Sequence, residues 1–128
     1  MTLKPAMVEQ KYIDYWHDRQ AKTRQYHEKL AVQARQEAAL VTDLLVKQHG
    51  VRCVILFGSL VRDRFAEESD LDLAVEGLLP SLYFAVLAQV NRIASRWVDL
   101  KRWEDLEPHF QARVLETGEV LYAREQPE

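Results

Sequence analysis

The chain has 128 residues, of which 48% are hydrophobic and 29% charged. This length suits one domain, and this apolar content is enough for one core, which excludes global disorder. Residues 1–50 carry eight Lys or Arg against six Asp or Glu, whereas residues 51–128 carry nine against fourteen. Nucleic acid backbones require clustered positive charge, so we expect no direct nucleic acid binding by this acidic second half.

Cysteine content and the lengths of the apolar runs predict a cytoplasmic protein. Cys53 is the only cysteine, which excludes an intrachain disulfide and favours a reducing compartment. The amino-terminal residues contain no apolar run long enough for a signal peptide. The longest apolar runs, 53–57 and 82–88, are too short to cross a membrane.

The first segment, from about Pro5 to His49, is predicted to be helical because it contains no internal glycine or proline. Its second half has an apolar stripe at three-to-four spacing, formed by Leu30, Ala34, Ala38, Val41 and Leu45. Its first half is polar over residues 17–25, with aromatic residues on either side (Tyr12, Tyr15, Trp16 and Tyr26). We expect this half either to project beyond the domain or to break into two helices.

Residues 1–49 are therefore predicted to form a helical extension that packs on a domain comprising residues 50–128, and that is available to a partner. The rest of the chain alternates between strand and helix patterns. Strands are predicted over 51–57, 70–75, 97–102 and 120–122, and helices over 59–65 (short, after a turn), 81–95 and 107–117. The predicted fold class is α/β or α+β, with a small mixed β-sheet flanked by helices and a long N-terminal helix.

Gly58 and Ser59 follow the first predicted strand directly. A glycine there allows the backbone to turn sharply and to approach a ligand closely. Ser59 then offers a hydroxyl and an amide at the start of the next segment, where free N–H groups favour phosphate. The pair is thus a candidate phosphate-binding turn.

Asp70 and Asp72 alternate with leucines, so both carboxylates are expected on one face of a strand, roughly 7 Å apart. Asp99 lies centrally in the next predicted strand, on the face shared with Trp97 and Lys101. If the two strands are neighbours, the three acids converge. Carboxylates brought so close repel one another unless a cation lies between them, and Mg²⁺ binds one or two carboxylates together with substrate phosphates. The pattern predicts a two-metal site that acts on phosphate esters.

The run GSLVRDRFAEESDLDLAVEG resembles the signature of the DNA polymerase β-type nucleotidyltransferases. It is most similar to the minimal nucleotidyltransferase (MNT) proteins, which include the MntA antitoxins paired with HEPN-domain toxins. The resemblance extends over residues 51–122. It implies that residues 50–128 form the nucleotidyltransferase domain.

The resemblance also implies roles for individual residues. Gly58, Ser59 and Arg62 would bind the triphosphate. Asp70, Asp72 and Asp99 would be the catalytic and metal-binding carboxylates, with two Mg²⁺ ions and ATP as substrate. Asp63 stands where the family pattern usually has glycine, which would make this loop stiffer and less favourable to phosphate.

The function implied is an antitoxin that transfers AMP from ATP to a tyrosine hydroxyl of a HEPN ribonuclease toxin. Two alternatives remain at this stage. The chain could be a non-catalytic subunit that neutralises the toxin by binding through the N-terminal helix. It could also transfer a nucleotide to a small molecule such as an aminoglycoside, although little chain remains after Asp99 to form a drug-binding domain.

Overall fold

The computed structural model describes the backbone of residues 5–125 and the side chains from residue 9 onwards. Its helices are α1 (Pro5–His49), α2 (Tyr83–Ile93) and α3 (Pro108–Thr117). Its strands are β1 (Cys53–Phe57), β2 (Leu71–Glu76), β3 (Val98–Arg102) and β4 (Glu119–Ala123). Single 3-10 turns, Pro80–Leu82 and Trp103–Asp105, precede α2 and follow β3.

The four strands form one mixed sheet in the order β3-β2-β1-β4. The strand β1 runs antiparallel to both β2 and β4, whereas β2 and β3 are parallel. The parallel pair requires a crossover connection, which α2 supplies. The predicted fold class, a small mixed sheet flanked by helices with a long N-terminal helix, is confirmed.

The main hydrophobic core lies on one face of the sheet, between the strands and the helices α1 and α2. Alternate strand residues such as Leu56, Leu73 and Leu100 are fully buried there, together with Val41 and Leu45 of α1. On the opposite face, α3 covers only part of the sheet and forms a smaller apolar cluster with residues of β1 and β2. The uncovered part of this second face is the part that carries the acidic side chains of β2 and β3.

The helix α1 is a single uninterrupted helix of 45 residues, about 68 Å long at 1.5 Å per residue. Residues 30–49 contribute Ala34 and Ala38 to the core, whereas every described side chain from residue 9 to 29 is exposed. The first half of α1 therefore projects beyond the domain, which is one of the two alternatives expected from the sequence. The other alternative, a break into two helices, is not observed. The division at residue 49 stays a prediction.

The segment between β1 and β2 differs from its prediction. A short helix was expected over residues 59–65, but the chain makes only consecutive turns there, in which Arg62 N–H donates to Gly58 O at 3.2 Å. Asp63 has a left-handed φ of 61°, which right-handed helical backbone does not allow. The helical turn therefore ends at this residue. Asp63 stands where the family pattern has glycine, and its backbone conformation is the one that favours glycine.

The other elements lie within one or two residues of their predicted bounds. The strand β1 begins at Cys53 rather than residue 51, and β2 begins at Leu71, so Asp70 precedes the strand instead of opening it. The helix predicted from residue 81 begins at Tyr83 because a 3-10 turn at Pro80 forms first. Within residues 5–125, no helix is long and apolar enough to span a membrane.

Candidate active site

Two carboxylates are paired where β2 and β3 run side by side, and a third lies just before β2. Asp72 of β2 is paired directly with Asp99 of β3 in the parallel register. Directly paired residues of neighbouring strands point to the same face, and such strands lie about 4.8 Å apart. Asp70 is one position before β2, where Leu71 N–H donates to Trp97 O at 2.9 Å and joins this segment to β3. The register thus places Asp72 beside Asp99, with Asp70 two residues before Asp72.

Gly58 lies against the Asp72 carboxylate. The last residue of β1, Phe57, pairs with Asp72 across the antiparallel strands, and Gly58 then turns with a φ of 84°. A Cβ atom added to Gly58 would lie 2.9 Å from the Cγ atom of Asp72, closer than real Cβ contacts occur. Only glycine therefore satisfies both the backbone conformation and the space available at this position.

Asp72 has an unusual electrostatic environment. Burial, followed by the neighbouring charges of Asp99 and Asp70, raises its pKa from 3.8 to about 6, although Lys101 and Arg62 act in the opposite direction. A half-buried carboxylate between two others is costly to ionise. The site therefore favours whatever brings positive charge to Asp72.

Lys101 brings one such charge. Its ammonium group lies 3.5 Å from Asp99 Oδ2, on the same strand and the same face. Among the residues that the structure describes, no group of three or more acidic, histidine or cysteine side chains already converges closely enough to hold a metal ion. The donor set nevertheless fits Mg²⁺, because this ion takes one or two carboxylates and completes its shell with water and phosphate oxygens. The observation that supports this fit is the pairing of Asp72 with Asp99 on one face of the sheet, with Asp70 one position before β2.

A cavity of about 200 Å³ opens beside Asp72, between the turn after β1 and the helix α3. Gly58, Arg62 and Asp72 line it on the sheet side, and Arg113 and Phe110 line it on the α3 side. Gly58, Arg62 and Asp72 belong to the sequence motif, whereas Phe110 and Arg113 lie outside it. No local pattern distinguishes Arg113 from any other exposed arginine, since its proximity to Asp72 results from the packing of α3.

Ser59 is half-buried in the turn that follows Gly58, and its carbonyl accepts a hydrogen bond from Arg64 N–H at 2.9 Å. Arg62, in the same turn, is exposed, yet it is close enough to lower the pKa of Asp72. Arg62 also lines the cavity beside Asp72, whereas Ser59 is not among its lining residues.

Arg96 was not selected from the sequence, yet it fixes the loop that leads to Asp70. Its guanidinium donates to Ser69 O at 2.7 Å and to Glu67 O at 3.3 Å. It also lies over the ring of Phe65, 4.4 Å from the centroid. One side chain thus connects the start of β3 to the carbonyl groups that precede the acidic pair.

Residues 40–127 match the family described as polymerase beta, nucleotidyltransferase. No match was found among curated proteins.

Several solved structures have a similar fold. A chain of a structure described as a toxin–antitoxin with AMP-PNP aligns at a TM-score of 0.59 and 20% identity, over 70% of this chain and 74% of that one. A chain of a mutant described as the toxin–antitoxin MntA-HpeT aligns at a TM-score of 0.56 and 17% identity, over 70% of this chain and 74% of that one. A chain of the toxin–antitoxin MntA-HepT aligns at a TM-score of 0.52 and 19% identity, over 69% of this chain and 70% of that one.

The close contact at Gly58 predicts that Gly58→Ala lowers stability by about 1–2 kcal/mol through left-handed strain and also displaces the Asp72 carboxylate. Gly50→Ala is the matched control, because Gly50 has a φ of 60° but nothing within 4 Å of an added Cβ. Thermal unfolding should report a loss in both variants. Mg²⁺ binding, measured by calorimetry in the presence of a nucleoside triphosphate, should weaken in Gly58→Ala only. Equal binding by both variants would contradict the inferred contact.

The raised pKa of Asp72 predicts a pH-dependent stability. Between about pH 4 and pH 6 the folded protein retains the Asp72 proton that the unfolded chain releases, so the free energy of unfolding falls as pH rises through this window. Asp72→Asn removes this effect. Without divalent cations it should be more stable than the wild type above pH 6, by about 1 kcal/mol after allowance for solvent screening of a half-exposed group.

The difference between Asp72→Asn and the wild type should shrink as pH is lowered and be lost below about pH 3, where Asp72 is protonated in both the folded and the unfolded protein. Chemical denaturation in EDTA across this range measures it. A variant that is less stable than the wild type at pH 8 would show that the carboxylate is stabilised rather than strained by its neighbours.

Proposed function

The chain belongs to the polymerase β nucleotidyltransferase family, and on this basis we propose that it transfers AMP from ATP to a hydroxyl group of a protein partner. The observation that carries this proposal is the pairing of Asp72 with Asp99 beside the glycine turn at the end of β1. The partner we propose is a HEPN-type ribonuclease toxin, with a tyrosine as the acceptor residue. The support for this partner is the likeness to structures described as toxin–antitoxin complexes, one of them with AMP-PNP.

In the proposed reaction, Gly58, Ser59 and Arg62 bind the triphosphate on the β1 side of the acidic cluster. Asp70, Asp72 and Asp99 hold divalent cations, for which we propose two Mg²⁺ ions. When bound, these ions would neutralise phosphate charge and favour ionisation of the attacking hydroxyl.

The chain's own residues mainly position the reacting groups and balance their charge. The acceptor oxygen, next to Asp99, attacks the α-phosphorus in line. The bond from that phosphorus to the oxygen bridging to the β-phosphate breaks, and pyrophosphate leaves. The Asp99 carboxylate accepts the hydroxyl proton, and Lys101, 3.5 Å from Asp99 Oδ2, holds this carboxylate on the site face. AMP on the tyrosine would then block the toxin.

The proposal predicts that the protein, incubated with Mg²⁺, α-labelled ATP and the HEPN-domain protein of its own genome, labels that partner on tyrosine. Asp70→Asn should reduce the labelling rate by at least about 10²-fold, because Asp70 is a proposed metal ligand next to the reacting phosphate. Glu68→Gln is the matched control, since it removes an exposed charge from the same loop. Absence of label, or equal labelling by wild type and Asp70→Asn, would refute the transfer.

A second candidate function, neutralisation by binding alone, is favoured by the exposed half of α1. Tyr12, Tyr15 and Trp16 are 44–63% exposed, and Trp16 contacts each of the two tyrosines edge to face. Contiguous exposed apolar groups of this kind mark interaction sites. On the same helix, residues from Trp16 to Val32 line a concavity of about 1090 Å³ that also includes Asp63, next to Arg62. A partner bound along α1 would therefore lie near the proposed triphosphate site.

The two functions can be separated by replacing Tyr12, Tyr15 and Trp16 together with alanine, which keeps the helix and touches no core residue. We expect complex formation with the HEPN partner, measured by size-exclusion chromatography, to weaken at least about tenfold. Loss of protection against the toxin by this variant, but not by Asp70→Asn, would favour neutralisation by binding. Loss of protection by Asp70→Asn with an intact complex would favour the transfer.

A further inference from the structure

The helix α3 presents one face to the cavity beside Asp72. Phe110, Arg113, Val114 and Thr117 line this face, and their spacing is that of one side of an α-helix. Arg113 is the charged member of the set. The Thr117 hydroxyl donates to Arg113 O at 2.8 Å, so its hydrogen is already used.

The arginines of this chain differ in what occupies their guanidinium groups. Arg35, Arg52 and Arg102 form salt bridges with glutamates or aspartates, and Arg96 donates to loop carbonyls. Among the ion pairs of the described residues, none includes Arg62 or Arg113. Arg62, on the turn after β1, and Arg113, on α3, line the same cavity, and Asp72 lines it too.

Two arginines that line one cavity, with no ion pair among the described residues, can together bind a polyanion. Each can donate two parallel hydrogen bonds to a phosphate group, a geometry that lysine does not offer. Asp72 is the acidic residue that lines the cavity, and its carboxylate repels phosphate, so an anion entering the cavity is stabilised by the arginines rather than by direct contact with Asp72.

We propose that Arg113 binds the terminal phosphates of the triphosphate and, together with Arg62, forms a two-arginine subsite for the pyrophosphate leaving group. This inference rests on the proposed nucleotidyl transfer for the identity of the ligand. It adds α3 to the binding site, which the sequence placed entirely on the β1 turn and the acidic strands. It also separates two functions of the site, since the carboxylates act at the α-phosphate and the arginines at the β- and γ-phosphates.

The experiment compares binding of ATP, inorganic tripolyphosphate and AMP to the full chain with Mg²⁺, by calorimetry, for wild type, Arg113→Ala and Arg113→Lys. We expect Arg113→Ala to weaken ATP and tripolyphosphate binding by about tenfold and to leave AMP binding unchanged. Arg113→Lys should restore part of the loss, because it keeps the charge but not the paired donors. Arg92→Ala, which removes an exposed arginine from α2, should bind all three ligands as the wild type does.

Unchanged tripolyphosphate binding by Arg113→Ala would overturn the subsite, and so would an equal loss of AMP and ATP binding or a wild type that does not bind tripolyphosphate.

These outcomes differ from failure of the proposed function. A wild type that binds tripolyphosphate through Arg113 but transfers no AMP would retain the subsite and refute the transfer. A wild type that transfers AMP while Arg113→Ala keeps its KM for ATP would retain the transfer and refute the subsite. Arg113 is exposed, and circular dichroism of both variants checks that the fold is intact.

Discussion

The hydrogen bonds between β2 and β3 hold Asp72 beside Asp99 against the mutual repulsion of the two carboxylates. Burial, followed by the charges of Asp99 and Asp70, raises the pKa of Asp72, so an ionised carboxylate at this position is costly. The pairing persists because the alternate residues of the same strands, among them Leu73 and Leu100, are fully buried in the main core. A shift of one residue in this register would expose those leucines and bury the acids. The register that forms the core therefore also forms the acidic site.

Much of this arrangement is encoded locally and could be predicted from the sequence. Strict alternation around Asp72 and Asp99 indicated two strands with one polar face, and the strands lie within two residues of the predicted bounds. The helix expected after Ser59 does not form, because Asp63 adopts a left-handed φ. The signal for this conformation was the glycine that the family pattern usually has at this position. Arg96 and Arg113 were missed for a different reason. Each acts on a segment distant in the chain, so its place follows only from tertiary packing.

The two faces of the sheet differ in how completely helices cover them. One face is covered by α1 and α2 and supplies the main core, which includes the buried stripe of α1. The other is covered only in part by α3, whose cluster around Val114 and Phe57 is small. The gap left by α3 is where Asp72 and the cavity arginines are accessible to solvent. Because α3 covers this face only in part, the site remains open to solvent. Most of the buried apolar side chains lie on the other face.

The continuity of α1 has a geometric consequence. Leu45 is fixed in the core, and Tyr12 lies 33 positions earlier on the same helix, about 50 Å away along its axis. Over that distance, a tilt of about 5° at the buried end moves the aromatic tip by about 4 Å, roughly the spacing between adjacent strands. The packing of small side chains in the core, such as Ala34 and Ala38, therefore determines the position of the aromatic end of α1 relative to the sheet. Substitutions at these alanines would change the orientation of the helix without touching the acidic strands.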